Sequence, residues 1–192
     1  MDVNTLLQKY AAGARDFRDL DLFRCDLEGV NLSGASLFRC NLFSCNLYRA
    51  NLLGTNLFRA NLINANLCNA NLSGADLSEA ELIGANLSGA DLSGADLSGA
   101  DLSGADLSHA TLSYVDLSNA TLKRAKLVDT ALNHAKLIKT NAQGVTWVDV
   151  EVEKAEFSCV EGLSSELVTL LTSQGAIFVT SQSSPQYQAV EL

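Results

Sequence analysis

Five cysteines, two histidines and 22 acidic residues are the groups in this sequence equipped to bind a metal, attack a carbonyl or move a proton. Each of those tasks demands a spacing. A structural zinc site needs two close pairs of ligands, and Cys25, Cys40, Cys45, Cys68 and Cys159 do not supply two such pairs. A nucleophile needs a base within reach, and that base needs an orienting group; neither His109 nor His134 has either at a matching position. Acid–base work needs two carboxylates in different environments within one pocket, but here the carboxylates recur evenly among polar neighbours. GxGxxG, Walker-type loops and HExxH are missing as well. The expectation is a chain that is no enzyme, with no catalytic residue, no cofactor and no metal.

What positions these groups is a period of five. Leucine stands at every fifth place from Leu22 to Leu137, twenty-four times without a break. Phe17 extends the series upstream, and Ala142, Trp147, Val152 and Phe157 extend it downstream, giving twenty-nine units over roughly residues 15–159. Two places before each Leu from Leu27 to Leu137 the side chain is small, usually Ala, with Cys25, Cys40, Cys45, Val30, Val115, Thr55 and Thr130 as variants. A helix needs apolar spacings of three and four, and a strand needs two. A strict five therefore predicts a chain that turns one corner per unit, with the large and the small residue pointing inward. Units this short bury nothing alone, so successive turns must stack. Gly, Ser, Asn and Asp fill the remaining places because tight corners favour them.

The unit Ala90-Asp91-Leu92-Ser93-Gly94, repeated many times, resembles the pentapeptide-repeat family, and the long ADLSG run is most similar to its cyanobacterial members. The resemblance implies an all-β solenoid, a right-handed quadrilateral β-helix with four units per coil and about seven coils. It also implies that Phe17, Leu22, Leu92, Leu97, Leu102, Leu107, Leu112, Leu137 and Phe157 belong to interior columns. In such a coil Cys25, Cys40 and Cys45 take the inward small position as modest hydrophobes, while Cys68 and Cys159 face outward. Short capping helices are expected at the ends: residues 1–14, with Asn4 as the cap and Gly13 as the stop, and 160–180, with a helix from Leu163 to about Thr172 and a strand at Ala176–Thr180. Residues 15–159 form the repeat body and 181–192 a flexible tail. The C-terminal segment is a lid, and a homodimer interface is its second reading.

Binning the outward positions by twenty exposes two departures from Ser and Gly. The first is apolar: Phe23, Phe43, Ile63 and Ile83 fall in one column and Phe38 and Phe58 in another, with Tyr48 and Leu53 on the remaining faces and Arg24, Arg39, Arg49 and Arg59 beside them. Stacked apolar residues that stiffen the coil are one reading; a protein-binding surface over the first coils is the other. The second departure is acidic. Residues 71–120 hold eight carboxylates and no Lys or Arg. Asp76, Asp96 and Asp116 share a column, Glu81 and Asp101 another, and Asp91 and Asp106 add to them. At about 1.5 Å of axis per charge, this zone is close to the roughly 1.7 Å of duplex DNA. Corner hydrogen bonding alone also accounts for these residues.

The net charge of −9 excludes unassisted binding to nucleic acid or an anionic membrane. No apolar run is long enough to insert in a bilayer. The lack of a basic, then apolar, leader and the unpaired cysteines point to a reducing, cytoplasmic setting. Two functions remain. The leading one is a rigid scaffold that binds an unidentified protein partner through its N-terminal apolar and arginine-bearing face. The alternative, implied by the resemblance, is a DNA mimic that binds DNA gyrase and modulates or protects it.

Overall fold

The computed structural model describes residues 2–179. Its body is one repeated operation. Residues twenty apart form parallel bridges all along the chain, as in Asp76↔Asp96, Asp96↔Asp116 and Asp91↔Thr111. Between bridges the chain turns, so that each twenty-residue coil has four sides and four two-residue corners. The side through Asp21, Asn41, Asn61, Glu81, Asp101, Thr121 and Asn141 is called the Asn41 side below.

One unit shows why five residues suffice. Asp91 N–H donates to the Ala70 carbonyl of the coil before, and Leu92 and Gly94 donate to Thr111 and Ser113 of the coil after. Ala95 N–H closes the corner on the Leu92 carbonyl at 2.9 Å. The fifth donor, Ser93 N–H, goes to the Asp91 carboxylate at 3.0 Å. Every backbone N–H of the unit is thereby satisfied, as a buried backbone requires. The same bond from a neutral amide serves equally, for Phe58 N–H donates to the Asn56 Oδ1 at 3.0 Å. An acceptor at this place thus serves with or without a charge, and the corner after Ala131 closes with no side-chain acceptor there. The second corner residue takes positive φ throughout; Gly94 sits at +66° and Asn69 at +56°, the region where Gly and Asn cost least.

All twenty-four leucines from Leu22 to Leu137 are fully buried, and the inward Ala residues between them nearly so. With bridges in register at twenty residues, Leu92 lies in the column of Leu112, and Leu92, Leu97, Leu102 and Leu107 fill one turn of the interior. Where the small inward residue is polar, it donates to the carbonyl twenty-three residues upstream. Thr130 and Thr140 hydroxyls reach Leu107 and Leu117 at 2.9 and 2.8 Å, and Thr55 reaches Leu32 at 3.1 Å.

The last coils depart from this uniformity. Corners open into short strands at Lys126–Val128 (β1), Lys136–Ile138 (β2), Thr146–Val148 (β3) and Glu156–Ser158 (β4), with β1 pairing β3 and β2 pairing β4 in parallel. In the first three, a β-branched residue (Val128, Ile138 or Val148) follows a Lys or Thr that replaces the Asp/Asn acceptor. Extended backbone suits such residues better than a tight turn.

Both ends differ in detail from the sequence reading. Helix α1 spans Val3–Ala11, and its cap is Asp2, not Asn4: the Asp2 carboxylate accepts from Thr5 N–H at 2.9 Å and from the Thr5 hydroxyl at 2.7 Å. Leu6 of α1 is fully buried in the core, and Tyr10 donates to the Ser33 carbonyl at 2.9 Å. Helix α2 begins two residues later than Leu163, covering Ser165–Ser173 under the Ser164 cap, and it buries Leu171. The final strand, β5, is Ile177–Phe178; it pairs with β4 in parallel and stacks Phe178 on Phe157, ring centroids 4.9 Å apart. Thr180 and the tail 181–192 lie outside the described residues.

Candidate protein interface

The groups first considered for chemistry are scattered by the fold. Cys40 and Cys45 are buried, and their thiols donate to the Phe17 and Leu22 carbonyls. Burial pushes them up to about 11 and about 12, so both remain protonated and inert near neutrality. Cys25 is only half-buried, because the first coil has no coil above it. Cys68 accepts hydrogen bonds on the surface and Cys159 is exposed. All five are free thiols. Among the described residues, no three His, Cys, Asp or Glu side chains are grouped to hold a metal ion. The two histidines occupy different corners, each engaged by a residue twenty positions on or back. His109 Nδ1 lies 3.4 Å from the Asp129 carboxylate, and His134 stacks on Tyr114 with ring centroids 4.5 Å apart. Sequence reasoning missed both pairs, although their spacing of twenty was legible.

The apolar corner residues do form columns. Phe23 stacks on Phe43 with centroids 5.5 Å apart, and Phe38 on Phe58 at 5.7 Å. Chain order places the Phe38 and Phe58 corner just before the Asn41 side and the Phe23, Phe43, Ile63 and Ile83 corner just after it. That side is therefore rimmed by apolar residues on both edges. Stacking covers much of Phe38, Phe43, Tyr48, Phe58 and Ile63, whereas Phe23, Leu53 and Ile83 are exposed at 49%, 47% and 38%.

Each arginine in this region lies over the aromatic ring that precedes it. Arg24, Arg49 and Arg59 sit 4.9, 5.0 and 5.0 Å from the centroids of Phe23, Tyr48 and Phe58, and Arg39 sits 5.9 Å from Phe38. Such contacts are worth about 0.5–1 kcal/mol at exposed sites, enough to bias where the guanidinium rests. Arg59 also pairs with Glu79 at 2.6 Å and Arg39 with Asp19 at 3.6 Å. Arg24 and Arg49 have no ion-pair partner among the described residues.

The acidic zone stacks as its spacing implied. Asp76, Asp96 and Asp116 form successive bridges on one side and Glu81 and Asp101 on the Asn41 side, while Asp91 and Asp106 belong to the other two. Each Asp accepts the corner N–H two residues on, at 2.8–3.1 Å. Burial tends to raise the Asp91 and Asp106 carboxyls, but hydrogen bonds from Ser93 and Ser108 outweigh it and hold both below the usual carboxylate value.

The comparisons agree with this geometry. The family model described as pentapeptide repeats matches in eight copies, in overlapping segments from residue 21 to 146. No curated protein matches the chain in sequence. Among solved structures, the chain is similar to HetL, a pentapeptide repeat protein involved in heterocyst differentiation regulation in the cyanobacterium Nostoc sp. strain PCC 7120. The identity is 26%, covering 96% of this chain and 99% of HetL, with a TM-score of 0.55. A pentapeptide repeat protein from the Arabidopsis thaliana thylakoid lumen is 26% identical over 64% of this chain and 79% of its own, with a TM-score of 0.42. QnrB1, a plasmid-mediated fluoroquinolone resistance protein, is 18% identical over 86% of this chain and 92% of its own, with a TM-score of 0.49. Twenty-residue coils with an unbroken leucine interior, together with a family match over well over half the sequence, lead to one assignment: this chain belongs to the pentapeptide-repeat family.

Proposed function

We propose that the chain is a non-enzymatic, cytoplasmic scaffold that binds a protein partner through its first coils. In this reading the body, residues 15–159, winds as a right-handed quadrilateral β-helix of about seven coils. The described parts of the end segments 1–14 and 160–180 close its two ends, with Leu6 and Leu171 as the buried plugs. The observation that carries the reading is the pair of apolar rims on the Asn41 side, with exposed Phe23 and Ile83 and the unpaired Arg24 beside them. Large apolar residues bordered by arginine are the composition of interface centres. The full-length likeness to HetL, whose described role is regulatory, favours a binding function too. Among the described residues, no helix is long and apolar enough to cross a membrane. Exposed Leu170, Ile177 and Val179 at the far end offer a place for a second copy to meet the first.

Affinity capture from the native organism tests this directly. The wild-type chain should retain a partner that Phe38→Ser combined with Phe58→Ser loses while circular dichroism stays unchanged. Retention of every partner by the variant would contradict the chosen face.

One observation favours the DNA-mimic reading as the second. Because asparagine serves the corner as well as aspartate, the fold does not require the charge concentrated in residues 71–120. A supercoiling assay with purified gyrase decides it: mimicry requires an effect that weakens in Asp91/Asp96/Asp101→Asn, and no effect at high protein concentration removes the reading.

A further inference from the structure

The coil of residues 121–140 reverses the charge of its neighbours, holding five cations and one acid, Asp129. Two of the cations are accounted for within the rod. Lys126 pairs with Asp106 at 3.2 Å, and Lys136 stands in register between Asp116 and Glu156. The other three have no acid one coil above or below. Lys123 lies between Ser103 and Gln143, Arg124 between Gly104 and Gly144, and Lys139 between Asn119 and Cys159. None of the three makes an ion pair among the described residues. All three occupy the corners that border the Asn41 side, the side already rimmed by apolar residues in the first coils.

Small neighbours leave room around them. Ser103, Gly104, Lys123, Arg124, Gln143 and Gly144 line a hollow of about 600 Å³. The column that contains Lys123 runs Phe23, Phe43, Ile63, Ile83, Ser103, Lys123, so the hollow begins one coil, or about 5 Å, beyond the last apolar residue and has Lys123 one coil further on. A long polyanion does not suit this place. Glu81, Asp101 and Asp106 precede the basic coil, and Asp149, Glu151 and Glu153 follow it, so a chain of phosphates running along the rod is repelled at both ends of one attractive coil. A compact group of negative charge fits.

We propose that the hollow at Lys123 and Arg124 receives a short cluster of carboxylates from a protein partner that lies along the Asn41 side. The partner sets its apolar residues on the Phe23–Ile83 column. The apolar half of this contact rests on the scaffold reading, and the basic half does not.

The test is a titration of the ¹⁵N-labelled full chain with a triglutamate peptide and, separately, with a 12-base-pair DNA duplex, followed by amide chemical shifts. Triglutamate should shift Gly104, Lys123, Arg124 and Gly144. Binding should weaken at least about tenfold in Lys123→Ser combined with Arg124→Gly, as expected for removal of the attracting charges. These two changes install the residues already present one coil above, so the backbone is kept. Shifts spread equally over Lys9 and Lys154, an unchanged response in the variant, or a stronger response to the duplex would each overturn the proposal. None of these outcomes touches the N-terminal apolar face, which the Phe38→Ser and Phe58→Ser capture experiment reads on its own.

Discussion

The coils of residues 71–120 and those of residues 16–65 share one backbone. Both are bridged every twenty residues, both bury their central leucines completely, and from Cys25 onward both close each corner with the same hydrogen bond. They differ where the chain turns and in the charge of the side-chain acceptors. The middle coils present Ser and Gly at most corners and Asp on the sides, while the first coils present Phe, Ile, Tyr and Arg at corners and mostly Asn on the later sides. Shape is therefore written at the inward positions and in the side-chain acceptor, and recognition can be written at the corners without disturbing it. Globular folds rarely separate the two tasks so cleanly, since their surface residues also set the packing of individual helices and strands.

Breaking the shared part should have the largest effect. Leu97→Asp places a carboxylate in a column with no water and no partner, and should cost more than about 4 kcal/mol, abolishing cooperative melting. Leu97→Ala should cost about 2–5 kcal/mol, the usual toll of a core cavity. Thermal unfolding followed by circular dichroism reads both, and a melt unchanged by Leu97→Asp would refute the interior placement.

Glycine sharpens the comparison at a second level. Gly104, at a middle-coil corner, has open space where a Cβ would stand, whereas a Cβ at Gly162 would lie 2.5 Å from the Gln143 Cα. Gly162→Ala should therefore destabilise by about 1–3 kcal/mol, as overpacking does, and by more than Gly104→Ala, which meets only the cost of positive φ. Equal melting temperatures for the two variants would count against the backbone contact that ends the last coil.

Acid should produce the smallest effect, and one confined to the Asp-rich coils. The Asp91 and Asp106 carboxyls are held below the usual value by hydrogen bonds in the folded chain. Their contribution is complete above the unfolded carboxylate value of about 3.9 and is lost as pH falls through the lower folded one. Melting temperature should stay level from pH 7 to 5 and drop below about pH 4; a rise on acidification would mean that repulsion within the Asp76, Asp96 and Asp116 stack outweighs those bonds.

Much of this was legible in the sequence because the repeat is so regular. A leucine every five residues admits no helix or strand, so the inward columns, the stacked acids and the apolar corners could be placed by number before any coordinate. What escaped notice had local causes. Asn4 and Asp2 are both good caps, and only the position of Thr5 relative to Asp2 favours the earlier start. The open corners of β1, β2 and β3 combine a β-branched residue with the loss of the Asp/Asn acceptor, a combination that the leucine period conceals and that Glu81 and Ile83 share while still turning. The period of five places the arginines at outward positions, yet their rest positions over the rings depend on side-chain reach, which spacing does not record. Charge alternation around residues 121–140 was visible, but the bridge register separates the lysines that stand beside acids from the cations that border the Asn41 side.

The division between inward shape and outward recognition can be put to a single measurement. Replace Phe23, Phe38, Phe43, Leu53, Phe58 and Ile63 together with serine, the residue that the middle coils carry at the same corners everywhere but Ile83, and record thermal unfolding. A cooperative melt with the β-rich spectrum of the parent, at a lower temperature, is what this account predicts. A chain that no longer folds would show instead that the aromatic columns hold the first coils together, and that the two regions do not share one structural code.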